Sequence, residues 1–113
     1  MLLAVALHAG FQEGPFFYVA KKGERTNHWI DEAAIDLQLS AELVVALTAW
    51  DDEYQSIYDR GYPPDSRFPT PEAERAWIEK GKELAARVKT ESPVVSSVDY
   101  QANGFYDKGT CVF

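Results

Sequence analysis

The sequence is poor in the residues from which catalytic and metal centres are usually assembled. Of its 113 residues, one is cysteine and two are histidine. A lone Cys111 excludes an intramolecular disulfide and a cysteine-rich metal site; it reads as an ordinary thiol near the chain terminus. His8 lies in an apolar run and reads as a strand-end or core residue. His28, with Asp31 and Glu32, is a mixed ligand set without a closed zinc spacing. No glycine-flanked serine forms a nucleophile elbow, and no glycine-rich loop is present to cradle phosphate. No run approaches the roughly 20 apolar residues that span a bilayer. The opening Leu2–Leu7 run is too short, and lacks the flanking basic region, to be a signal-peptide core, and reads as a buried strand. The expectation is no catalytic residue, no metal, no cofactor, no membrane contact and residence in the cytoplasm.

Positive charge is also missing from one long stretch. Between Thr26 and Asp59 there is no Lys or Arg, but there are eight acids: Asp31, Glu32, Asp36, Glu42, Asp51, Asp52, Glu53 and Asp59. The rest of the chain carries ten acids and eleven bases, so the formal charge of −7 originates entirely in this stretch. Phosphate backbones and anionic membranes are bound by clustered Lys and Arg, so direct contact with nucleic acid or a membrane surface is disfavoured. A basic protein partner is favoured. The plainer reading is that the acids keep a small domain soluble.

What the chain has in quantity is aromatic surface: three Trp, six Tyr and six Phe. Such side chains bury large areas and anchor small cores. At this length one domain, residues 1–113, is expected, with 107–113 either pairing as a last strand or fraying. Residues 2–9 read as a strand, as does Phe16–Ala20, and Arg25 to Ile30 returns as the second arm of a hairpin. Ser40 is an N-cap, followed by an apolar stripe of Leu43, Leu47, Trp50, Tyr54 and Ile57, with Gly61, Pro63 and Pro64 as stop signals. Thr70 caps a second helix with Pro71 in its first turn and a stripe of Ala73, Trp77, Gly81, Leu84 and Val88. Gly81 on the buried stripe invites close approach, plausibly by Trp50. Val94, Ser96, Val98 and Tyr100 alternate as one face of a further strand, and Asn103-Gly104 marks a turn. The fold class is α+β: a mostly antiparallel sheet of 3–5 strands with a two-helix hairpin packed on one face.

Several readings of function stay open. Asp51-Asp52-Glu53 is an acidic run on a helix, but neighbouring helical residues point about 100° apart, so it does not by itself build a two-carboxylate catalytic pocket. With the apolar stripe buried, Val45, Ala49, Asp52, Ser56 and Asp59 form the outward face, flanked by Asp51 and Glu53. The loop from Asp59 to Phe68 adds Arg60, Tyr62, Asp65, Arg67 and Phe68, residue types common at interfaces, stiffened by Pro63-Pro64. The candidate partner-binding set is therefore Asp51, Asp52, Glu53, Asp59, Tyr62 and Phe68. The alternatives are an ordinary solvated helix back with a structural connector, an adaptor that self-associates through a strand edge, and a small metal-dependent enzyme using His28, Asp31 and Glu32.

Leu37-x-Leu39-Ser40-x-x-Leu43, Leu47-x-x-Trp50-Asp51-Asp52-Glu53-Tyr54, Thr70-Pro71-Glu72-Ala73-Glu74 and Gly81-x-x-Leu84-Ala85-x-Arg87-Val88 together resemble a helical hairpin of small bacterial proteins over residues 35–90. In size, acidity and aromatic content the chain is similar to the immunity proteins of bacterial toxin–immunity pairs. That resemblance implies a non-catalytic inhibitor, monomeric or weakly dimeric, that binds a cognate basic toxin domain, a nuclease.

Overall fold

Val5, Leu7 and Ala9 are buried while Ala4 is exposed, the two-residue period of a strand with one face on a core. This is β1, Leu3–His8, in a computed structural model that describes residues 2–62 and 66–113. It is followed by β2 (Phe16–Phe17), β3 (Asn27–His28), α1 (Ile30–Asp36), α2 (Ala41–Ser56), α3 (Pro71–Glu91) and β4 (Val95–Ala102). The four strands form one sheet in the order β3-β2-β1-β4. β1–β2 and β2–β3 are antiparallel, and β1–β4, the longest pairing, is parallel. The fold is α+β, with a mixed sheet. A parallel pair needs a long crossover, and here the crossover contains all three helices.

Arg25–Ile30 yields only a two-residue strand because helix begins earlier than the sequence suggested. Glu32 Oε1 accepts the backbone N–H of Trp29 at 2.9 Å and closes the first turn of α1. Ser40 and Thr70 cap α2 and α3 as expected, accepting from Leu43 N at 3.1 Å and Ala73 N at 3.0 Å. The stop signals Pro63 and Pro64 lie outside the described residues. Helices α2 and α3 run antiparallel, since Ser40 at the start of α2 donates to Glu91 at the end of α3.

The alternation expected in β4 fails at its start. Ser96 is exposed and Val95 buried, while Val98, Tyr100 and Ala102 keep the core face. The cause is a bulge: Leu3 pairs with Val95 but Ala4 with Ser97, so Ser96 is an extra residue that resets the phase. Val98 and Phe113 exchange backbone hydrogen bonds and Tyr100 N donates to Cys111 O, so residues 111–113 cover the outer edge of β4. The other sheet edge is the two-residue β3, too short to template much pairing.

The two helical stripes meet at Trp50 and Trp77. Their rings stack at 4.6 Å, and each indole N–H donates to the other residue's backbone carbonyl, at 3.0 and 2.8 Å. Gly81 makes room for this pair. A Cβ there would lie 2.6 Å from Trp50 Nε1 and would collide with the Tyr100 hydroxyl, which donates to Ile78 O. Glycine permits the close approach of α2, α3 and β4.

Candidate functional site

Seven of the eight acids of the base-free stretch fall into two groups. Four are engaged within the fold. Glu32 accepts from Trp29 N and pairs with Arg25 at 2.9 Å, so its carboxyl is held below the usual range, first by that backbone bond. Asp36 accepts the Tyr18 hydroxyl at 2.8 Å. Burial, and then this carboxylate, push the Tyr18 hydroxyl pKa far upward. Glu42 lies 3.6 Å from Arg87. Asp59 Oδ1 accepts the backbone N–H groups of Gly61 and Tyr62 at 2.9 and 3.1 Å, which shapes the loop after α2.

Three others line a single recess. Asp31 from the first turn of α1, and Asp51 and Asp52 from α2, border a cleft of about 550 Å³ together with Trp29, Thr48 and Gln55. Helix α1 packs against α2, and its N-cap residue Trp29, 45% exposed, is among the residues lining the cleft. Glu53 is exposed on the same helix, and neither it nor Asp52 makes a side-chain hydrogen bond or ion pair among the described residues.

Asp51 is unlike its neighbours. It retains 6% exposure, and Gln55 Nε2 donates to its Oδ1 at 3.2 Å. Gln55 is itself fixed, donating to Gly10 O at 2.8 Å and accepting from Gln12 N at 2.9 Å. Burial pushes the Asp51 carboxyl up to about 6; the Gln55 bond opposes this and the Asp52 charge adds to it. The folded pKa thus exceeds the ordinary value of 3.8. The sign follows: Asp51 burdens the fold nowhere below pH 3.8, increasingly as pH rises to about 6, and fully above that. Asp51→Asn keeps the acceptor and removes the charge. It should raise stability at pH 7 by about 2–3 kcal/mol, and the gain should vanish near pH 4. Urea unfolding at both pH values measures this; an equal effect at the two would show that the charge is not the cause.

The structure separates the residues expected at an interface. Asp52, Glu53, Asp59 and Tyr62 are exposed, as are Val45, Ala49 and Ser56 on the outward face of α2. Phe68 is not presented to a partner: it is 7% exposed and packs on Tyr54 and Trp77. Its apolar ring gains more from this aromatic cluster than from water. Asp51 faces the cleft from within rather than flanking it on the surface. Asp65, Pro63 and Pro64 lie outside the described residues. Trp29, Gln12 and Gln55 were not singled out from sequence; the signal was a tryptophan opening an acid-rich, base-free run.

His28 is 1% exposed, stacked on Tyr18 at 3.8 Å, with Nδ1 against Thr26 O at 2.8 Å. Its Nε2 faces Glu24 at 3.6 Å. Glu32 is committed to Trp29 and Arg25, and among the described residues no group of His, Cys, Asp and Glu could hold a metal ion. No helix among the described residues is long and apolar enough to cross a membrane.

The chain is thus a small acidic α+β protein with a carboxylate-lined recess beside α1 and α2, Trp29 among its lining residues. The comparison with known families is more specific. The Serratia CdiI immunity protein-like family matches residues 4–103, and the chain belongs to that family. Among curated proteins, none matches it. The matched segment contains the whole cleft and every candidate interface residue.

Proposed function

We propose that this protein is a non-catalytic immunity protein that binds a basic toxin domain, a nuclease, in the cytoplasm and blocks its active site or substrate groove. The observation that carries the reading is the convergence of Asp31, Asp51 and Asp52 beside exposed Trp29, in a chain of an immunity protein-like family. A nuclease must attract phosphates with clustered Lys and Arg. A recess lined by carboxylates and by no Lys or Arg competes for those same groups and steers association electrostatically. Asp52 and Glu53 supply the exposed charge, Trp29 and Tyr62 the aromatic anchors, and Asp59 holds Tyr62 in place through its loop. Asp51 contributes from the cleft wall, and Phe68 contributes indirectly by packing beneath.

The test is coexpression with the product of a toxin-like reading frame adjacent to the gene. The expected result is that this chain protects the host and copurifies with that toxin as a complex weakened by salt. A toxin that kills equally in its presence, with no complex in a pull-down, overturns the proposal.

A further inference from the structure

The cleft has features of a site for one side chain rather than of a generally acidic surface. Its three carboxylates come from two helices and are accompanied by no Lys or Arg in the lining. They do not converge tightly enough to hold a metal ion. One of them, Asp51, is more than nine-tenths buried, and its single hydrogen-bond donor, Gln55, occupies Oδ1. Among the described residues Oδ2 accepts nothing, yet it is not sealed from solvent, so the cleft is where a donor can reach it. Trp29, 45% exposed, lines the same cleft.

We propose that this cleft receives one arginine side chain of the toxin, its guanidinium lying against Trp29 and paired with Asp51 and Asp52. The inference rests on the toxin-binding reading above and deepens it. Three properties select arginine over lysine. The guanidinium is planar and stacks on an indole, its fork donates to two acceptors at once, and it is desolvated more readily than an ammonium. The rigid Gln55 bracket, tied to Gly10, Gln12 and Asp51, holds one acceptor in place before binding, so little order is lost when the pair forms. Asp31 on the α1 side adds a third negative charge without needing direct contact.

The probe is acetyl-Gly-Arg-Gly-amide titrated into the ¹⁵N-labelled full chain, beside its lysine and citrulline counterparts. Trp50 and Trp77 have buried, hydrogen-bonded indoles, and the remaining indole N–H signal is assigned to Trp29 by its loss in Trp29→Phe. The arginine peptide should shift that signal and the Asp51 and Asp52 amides with a Kd of ~mM, and citrulline should not. Asp52→Asn should weaken the response about fivefold. Because a bound cation favours ionised Asp51, affinity should fall about tenfold from pH 7 to pH 5, and Asp51→Asn should abolish that dependence. No shift at Trp29, or equal shifts from citrulline or lysine, overturns the arginine site. If the chain protects against its toxin while the cleft ignores the peptide, only this inference fails. A responsive cleft in a chain that protects against no toxin overturns its assignment to toxin binding.

Discussion

Trp77→Ala should remove a large share of the stability of the fold. Trp77 is 1% exposed and is the hub of the aromatic cluster, stacked on Trp50 and Tyr54 and tilted against Phe68. Large-to-alanine changes at such sites cost about 3–5 kcal/mol, from lost transfer energy and from the cavity left behind. Proteins of this size have about 5–15 kcal/mol in total. The loss also breaks the reciprocal indole–carbonyl bonds that fix α2 against α3, and that pairing sets the position of Asp51, next in sequence to Trp50. Trp77→Phe retains much of the ring and loses the N–H, so it should cost about 1–2 kcal/mol and leave the fold intact. Urea unfolding followed by fluorescence and circular dichroism gives both values. A loss below about 1 kcal/mol for Trp77→Ala would mean that the two-tryptophan pair is not the keystone assigned to it.

Reversing the exposed charge should abolish partner binding while sparing the fold. The variant to make is Asp31→Lys, Asp52→Lys and Glu53→Lys together. All three are exposed, and Asp31 alone of them holds the backbone, accepting the Glu32 N–H at 2.9 Å, so the melt is compared with that of Asp52→Lys and Glu53→Lys without it. Asp51 is omitted because a buried lysine would destabilise the helix pair, and Asp59 because its carboxylate holds Gly61 and Tyr62. Opposing a basic toxin surface with three cations should weaken the complex about a thousandfold or more, with most of the salt dependence lost as well. Affinity for the copurifying toxin is measured at low and moderate ionic strength, beside a thermal melt that certifies folding. Undiminished binding at low salt by a folded variant would remove this surface from the interface.

Asp51 belongs both to the edge of the core and to the cleft. Its neighbour Trp50 places it at the edge of the core, where its charge costs stability, and the stabilising Asp51→Asn change should weaken recognition. Opposite effects on folding and binding at one residue are the mark of a group kept for function.

Much of the fold was legible in local chemistry. Ser40 and Thr70 cap their helices through hydroxyl geometry that depends on only three following residues, and the stripes from Leu43 to Tyr54 and from Trp77 to Val88 follow from helical period. Gly81 as a point of close approach was also readable, because a missing side chain on a buried stripe has few other uses. The bulge at Ser96 was not, since a register shift is decided by the partner strand. Nor was the parallel pairing of β1 with β4, which joins residues near opposite ends of the chain.

For function, the sequence by itself determined that eight carboxylates lie together without a base and that one well-capped helix carries several of them. It could not say which of them are engaged. Only the tertiary structure assigns Glu32 to Arg25 and Asp36 to Tyr18, and brings Asp31, Asp51 and Asp52 around one cleft with Trp29. The physical reason is range. Composition and periodicity are properties of neighbouring residues, whereas a carboxylate's partner and its desolvation depend on what other elements bring against it.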